Sequence, residues 1–152
     1  MNKAELLVKE LAEMTGSDME LDASGICELV ADGNLVVMRY REASDDWLCF
    51  GVVLDGGEEE LSRETLAKAL EIGLFGAETG GYHLGLHGNS LVLSDIVPFV
   101  EDLTAETFAE RMLALSQKVT AISERLEGSE SFVPGLDSDP IFSALDERLI
   151  RV

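Results

Sequence analysis

The two histidines and the two cysteines are the residues whose types best suit catalysis or metal binding. His83 and His87 lie four residues apart in a segment that alternates like a strand, so their side chains share a face about 13 Å apart. That separation prevents the pair from binding one metal ion, and a zinc site would have to recruit Cys27 or Cys49 from elsewhere. A small metal-dependent enzyme with a composite site around His83, His87 and Cys49 therefore stays a minor alternative. No catalytic residue, metal or cofactor is predicted.

Glycines and carboxylates offer no better route to chemistry. The glycines after position 72 lack the G-x-G-x-x-G or G-K-[ST] spacing that cradles phosphate groups. Because the chain has 30 acidic residues, neighbouring carboxylates arise by chance and name no general acid and base. The acidic runs Glu58–Glu60 and Asp45–Asp46 are interpreted as solvated loops.

Strong acidity combined with high apolar content is the main signal of the composition. The chain has 30 acidic and 11 basic residues, a net charge of −19, 46% hydrophobic residues and a mean hydropathy of +0.13. Disordered acidic chains are poor in aliphatic residues, so this chain is predicted to fold. Its charge repels phosphate backbones and anionic lipid, which argues against nucleic acid and membrane partners. The apolar surplus predicts that part of the folded surface is apolar.

Length and sequence termini place the chain among small intracellular domains. A chain of 152 residues predicts one domain that can build a core without cross-links. Cys27 and Cys49 are predicted to be buried thiols in a reducing compartment. No signal peptide or apolar run of about 20 residues is visible, which predicts a cytoplasmic protein.

Hydrophobic periodicity and turn signals predict eight elements. Their order is α-β-β-β-α-β-β-α, which predicts an α+β fold with a five-stranded antiparallel twisted sheet and helices packed mainly on one face. The predicted folded domain covers residues 1–127, and residues 128–152 are predicted to be a flexible C-terminal tail. The elements are a helix at 3–15, strands at 26–31, 35–41 and 47–54, a helix from 62 to about 75, strands at 82–87 and 90–97, and a helix from 104 to about 128.

The strands are apolar on both faces, although a sheet with one buried face should alternate apolar and polar residues. In the second strand, Leu35 and Val37 point one way, and Val36 and Met38 the other. Alternation shows which residues share a face but not which face is outward. A two-sided apolar sheet must cover its second face with another copy or another chain, which indicates a binding module.

Several segments together resemble the Tir chaperone (CesT-type) family, the class I chaperones of bacterial type III secretion. The resemblance covers about residues 3–127 and includes the size, the acidity and the order of elements. The segments that carry it are Ala4–Glu13, Gly25–Leu29, Leu70–Phe75, Glu78–Gly81, Leu84–Leu86, and Ser90–Leu93 leading into Leu103–Phe108.

The resemblance implies a cytoplasmic bacterial homodimer without catalytic activity. It implies that the protein binds the N-terminal chaperone-binding region of a secreted effector, keeps it soluble and competent for secretion, and contacts the export ATPase of the secretion apparatus. The alternative is a regulatory module that sequesters a transcriptional regulator or another chaperone. The implied effector-facing residues are Leu7, Val8, Val36, Met38, Leu48 and Phe50. The implied dimer-interface residues are Leu66, Leu70, Leu74, Phe75, Leu84 and Leu86. Val36, Met38, Leu48 and Phe50 are expected to matter more for binding than for folding.

Overall fold

Three helices and one five-stranded antiparallel sheet form the fold, as the sequence predicts. The computed structural model describes residues 1–128, so the predicted tail lies almost wholly outside the described residues. The elements are α1 (Lys3–Thr15), β1 (Ile26–Ala31), β2 (Asn34–Arg41), β3 (Asp46–Asp55), α2 (Arg63–Gly73) with a 3₁₀ turn at Leu74–Gly76, β4 (His83–His87), β5 (Ser90–Pro98) and α3 (Ala105–Glu127).

Side-chain caps fix where the helices begin and end. The Asn2 side chain accepts a hydrogen bond from the Glu5 amide, and the Glu5 carboxylate accepts one from the Asn2 amide. This reciprocal pair satisfies two of the amides that every helix start leaves free. Thr104 caps α3 in the same way. Gly16 ends α1 at a left-handed φ of 66°, a conformation that glycine adopts at little cost.

The sheet has the strand order β1-β2-β3-β5-β4, so β1 and β4 are its two edges. The β1–β2 hairpin turns through Asp32 and Gly33, whose φ values of 48° and 82° match the mirror-image turns that suit a twisted hairpin. Helices α1 and α3 pack on one face of this sheet. The other face, called here the open face, carries no helix among the described residues.

The core lies between α3 and the central strands. Trp47 and Phe108 are fully buried, with ring centroids 5.2 Å apart. The six-residue seam predicted along α3 is entirely buried: Phe108, Met112, Leu115, Val119, Ile122 and Leu126. Gly51 lets this helix come close, because a Cβ atom at that position would lie 2.9 Å from Val119 Cγ2.

A polar link fixes α3 to the first hairpin. The Asn34 amide nitrogen donates to Ser116 Oγ at 3.0 Å and to Thr120 Oγ1 at 2.7 Å. Ser116 Oγ in turn donates to the Ala31 carbonyl oxygen. Because Ser116 is fully buried, these bonds satisfy groups that would otherwise be costly to bury. They set the position of α3 along the sheet.

Two local predictions are wrong. Asp45 and Asp46 were expected in a solvated loop. Asp45 does lie in the turn before β3, but Asp46 begins the strand and its carboxylate accepts two bonds from Arg41 at 2.6 and 2.7 Å. The second helix was expected to run to about Phe75, but regular α-helix ends at Gly73 because Leu74 is extended, with a ψ of 123°, and Phe75 is left-handed, with a φ of 58°. No helix among residues 1–128 is long and apolar enough to cross a membrane.

Candidate partner-binding surfaces

Four of the six residues predicted to face an effector lie in the core. Leu7 and Val8 are buried on α1, which packs against α3, and Val36 and Met38 are fully buried in β2. A fully buried side chain cannot receive a partner's side chain without opening the core. Their assignment as surface contacts is therefore corrected, and their first role is to hold the fold together.

Strand register explains why the predicted set was mixed. Met38 lies opposite Cys49, and both are fully buried under the helices. Leu48 lies opposite Arg39, one residue along, so its side chain points to the other side of the sheet. Leu48 and Phe50 therefore lie on the open face, where both are partly exposed.

The open face is apolar across most of its width. Directly paired residues share a face, and the pairs Val30–Leu35, Val37–Phe50 and Leu48–Ile96 all lie here. Val30 is 69% exposed and Leu35 50% exposed. An apolar surface of this extent on a strongly charged protein is typical of a contact site. Its apolar members are Ile26, Val30, Leu35, Val37, Leu48, Phe50, Val52, Val92 and Ile96.

A groove crosses the open face beside the edge strand β4. Gly85 lies opposite Val92, and nothing lies within 4 Å of the position that a Cβ atom would take there. The missing side chain leaves a groove of about 330 Å³, open to solvent and mostly apolar. It is lined by Leu48, Phe50, Gly85, Leu86, His87, Val92 and Ser94.

Charged residues in the strand sequences indicate which face of the sheet is outward. Glu28 shares a face with Val30 in β1, and Arg39 shares a face with Val37 in β2. Charged side chains belong on the solvent side of a sheet. Their alternation register therefore marks Leu35 and Val37, rather than Val36 and Met38, as outward.

A second apolar surface lies at the end of α2. Leu70 is 78% exposed and Phe75 68% exposed, while Ile72 beside them is buried. Among the predicted dimer residues, Leu66 and Leu84 are half-buried, so their role is largely packing within the chain. The exposed members, called here the α2 patch, are Leu70, Leu74, Phe75 and Leu86.

Charged pairs secure the end of the sheet where α1 begins. Asp45 accepts hydrogen bonds from Lys3 Nζ at 2.5 Å and from Tyr40 Oη at 2.7 Å. The bond from Lys3 contributes most to lowering the pKa of Asp45. The bond to Asp45 raises the pKa of Tyr40 to about 12. The same ammonium group lies 4.5 Å from the centre of the Phe99 ring, so Lys3 joins α1 to two loops.

The residues with the most reactive side chains are separated by the sheet. Cys27 and Cys49 are buried free thiols on the helix-covered face, as the sequence predicts. Burial raises the pKa of Cys27 to about 12 and raises that of Cys49 further. His83 pairs with Ser94 on the open face, opposite to Cys49, so the composite histidine–cysteine site does not form. Within residues 1–128, no three metal-binding side chains cluster.

An α+β fold with two uncovered apolar surfaces on an acidic body defines a protein-binding module. The chain belongs to the Tir chaperone protein (CesT) family, whose model matches residues 6–122. This membership confirms the family resemblance that the sequence segments indicated.

Solved structures of similar fold include proteins of type III secretion. The ExsC–ExsE complex matches with a TM-score of 0.67 and 21% identity over 82% of this chain and 93% of that one. The Yersinia pestis secretion chaperone SycH, bound to a fragment of YscM2, gives 0.56 and 18% over 78% and 98%. The ExoU–SpcU complex of Pseudomonas aeruginosa gives 0.53 and 18% over 79% and 93%. No curated protein matches the chain.

Proposed function

We propose that this protein is a cytoplasmic type III secretion chaperone that binds the N-terminal segment of a secreted effector on its open face. The observation that carries the proposal is the uncovered apolar face, with its groove at Gly85, on a member of the Tir chaperone family. Solved structures of similar fold include chaperones bound to partner chains, which supports a protein client. Without the chaperone, the client is expected to become insoluble.

Binding follows from the shape and charge of this face. A client segment held in extended form presents alternate side chains to Leu48, Phe50 and Val92, and its backbone can pair with an unpaired sheet edge. Residues 1–128, called here the described body, contain 25 acidic and 9 basic residues. This charge favours a client segment rich in Lys or Arg and speeds its association with the chaperone. The bound client remains unfolded, as export through a narrow channel requires.

A homodimer formed through the α2 patch completes the proposed assembly. Phe75 and Leu70 are among the most exposed large apolar side chains of the described body, and each loses unfavourable contact with water when a second copy covers it. A dimer presents two open faces to one client segment, which raises its affinity by linkage. This dimer would then deliver the bound client to the export ATPase.

The test begins with a client identified by co-purification from the native bacterium, then mapped to its binding segment. The double variant Leu48→Asp/Phe50→Asp is expected to weaken binding of that segment by at least tenfold, because two anchors of the groove become charged. The matched control is Leu113→Asp, which places the same charge at a 43% exposed leucine of α3.

Two results would overturn the proposal. One is a client that binds through a folded domain instead of an extended N-terminal segment. The other is unchanged affinity in the double variant with an intact circular dichroism spectrum. A transcriptional regulator as the captured client would place the same surface in the regulatory role instead. Light scattering checks the dimer, expected near twice 16.5 kDa.

A further inference from the structure

We propose that residues 141–152 of this chain dock on the open face of the same molecule and compete with the client. This inference rests on the proposed function, because it assigns a second ligand to the proposed client surface. The described residues leave this apolar face uncovered. Residues 141–152, called here the tail segment, match it in sequence pattern, charge and reach.

The apolar residues of the tail segment follow a helical pattern. Ile141, Phe142, Leu145 and Leu149 occur at i, i+1, i+4 and i+8, which places them on one side of a helix. Signals typical of helix starts come just before them. Asp139 suits an N-cap and Pro140 the first helical position. Arg148 and Arg151 near the end would complement the helix dipole. The pattern therefore predicts an amphipathic helix that is too short to be stable unless its apolar side is covered.

Charge distinguishes the tail segment from the rest of the chain. It contains two acidic residues, Asp146 and Glu147, and two basic ones, Arg148 and Arg151, so it has no net side-chain charge. The described body has a net charge of −16, from 25 acidic and 9 basic residues. The intervening residues 129–140 are also acidic, with three carboxylates and no basic side chain. The apolar stretch is thus the part of the C-terminal region that the acidic body does not repel.

The end of α3 lies within reach of the open face. Val119 contacts Gly51, and Asn34 at the start of β2 bonds Ser116 and Thr120. The rest of α3 therefore runs toward the end of the sheet where Leu35, Val52 and Val92 lie. A connection of 12 residues spans up to about 40 Å, while a sheet layer is about 10 Å thick. The tail segment can therefore pass around this end of the sheet.

The groove provides a site for the largest side chain of the tail segment. Leu48, Phe50 and Val92 form apolar walls around the space that Gly85 leaves empty. Insertion of Phe142 there would follow the helix-in-groove mode of peptide binding. A tethered ligand acts at an effective concentration on the order of 1 mM. A tail segment of intrinsic Kd about 0.1 to 1 mM would then raise the apparent client Kd about 2- to 10-fold.

Paramagnetic NMR on the full chain tests the location directly. A nitroxide label at Ser143→Cys lies on the side of the predicted helix opposite to Ile141, Phe142, Leu145 and Leu149. The two native thiols are buried, and a mock-labelled wild-type sample checks that they do not react. The expected result is selective broadening of the methyl signals of Val52, Val92 and Ile96. Broadening around Phe75, around α1, or nowhere would overturn the proposal.

A diluted mixture separates docking in cis from exchange between molecules. Protein that carries the nitroxide but no NMR isotope is mixed with isotope-enriched protein that carries no nitroxide. Broadening of the open face in that mixture would show that a second copy supplies the segment, which contradicts docking in cis.

Competition is measured with matched tail variants. Phe142→Asp/Leu145→Asp should abolish the broadening and lower the apparent client Kd about 2- to 10-fold. The control Phe132→Asp/Leu136→Asp makes the same chemical change in residues 129–140 and should do neither. Client binding that depends on Leu48 and Phe50 but not on Phe142 and Leu145 would refute the tail proposal and retain the proposed function. Tail docking without client binding would do the reverse.

Discussion

Gly85 lies directly opposite Val92 at the free edge of the sheet, and no atom occupies the space where its Cβ would be. Gly51 in β3 faces the other side of the sheet, and it differs from Gly85 because a Cβ atom there would lie 2.9 Å from Val119 Cγ2. One glycine thus keeps a groove open to solvent, and the other lets a helix pack on the sheet. The same residue type leaves a groove on one face and allows close packing on the other.

The first prediction is that Gly85→Val closes the groove without harming the fold. The new side chain enters open space in a strand, where valine is favoured over glycine. We expect client affinity to fall at least tenfold, with a free energy of unfolding within about 0.5 kcal/mol of the wild type. Isothermal titration and urea unfolding measure the two quantities.

Gly51→Val is the control for that variant. Its side chain must displace α3, so we expect a loss of about 1 to 3 kcal/mol of stability from overpacking. Similar stability losses in both variants would show that the empty space at Gly85 does not exist in solution.

The second prediction separates residues that fold the protein from residues that bind its client. Met38 is fully buried, so Met38→Ala should cost about 2 to 5 kcal/mol in the free energy of unfolding. Leu48→Ala on the open face should cost less than about 1 kcal/mol but weaken the client complex. Chemical unfolding compared with client titration checks this. Equal effects on both quantities in the two variants would contradict the assignment of faces.

Met38 and Leu48 show how far the sequence determines the binding surface. Periodicity and cap residues are local signals, and they predicted every helix and strand to within a few residues. Strand alternation correctly grouped Leu48 with Phe50 and Val36 with Met38, but it could not tell which group faces the helices. That choice depends on pairing across strands, which places Met38 beside Cys49 and Leu48 beside Arg39. Such pairs join distant parts of the chain. Within β2 a local signal does exist, because Arg39 shares a face with Val37 and marks that side as outward, but it does not show how β3 pairs with β2.

The third prediction concerns acid stability. The hydrogen bond from Arg41 contributes most to lowering the pKa of Asp46, so its ionised form is favoured in the folded state. That contribution to stability is present above the ordinary aspartate pKa and is lost as pH falls through the lowered one. Asp46→Asn should therefore make the urea midpoint fall less between neutral pH and pH near 3. Glu60→Gln, the same charge change in an exposed loop, should leave the slope as in the wild type.

The fourth prediction is that the native thiols react only when the chain unfolds. Burial raises the pKa of Cys27 to about 12 and that of Cys49 further still, and the thiolate is the reactive form. We expect an aromatic disulfide reagent at pH 8 to modify neither thiol in native buffer and both in urea. Rapid modification of the native protein would show that the sheet opens at its β1 edge.

The last prediction tests whether the α2 patch forms the dimer. Phe75 holds a left-handed φ of 58° while its ring is 68% exposed, which is unfavourable on both counts for an isolated chain. Phe75→Gly removes strain of about 1 kcal/mol, and the extra freedom of glycine in the unfolded chain offsets about 0.5 to 1 kcal/mol. The fold should therefore keep its stability, whereas loss of a central aromatic contact should raise the dimer dissociation constant at least tenfold.

Sedimentation equilibrium measures the dimer dissociation constant. Leu113→Gly is unsuitable as a control because glycine would weaken helix α3. Leu113→Ala on α3 removes exposed apolar area far from the patch and should leave the dimer intact. A dimer unaffected by Phe75→Gly but lost in Leu113→Ala would move the interface from α2 to α3.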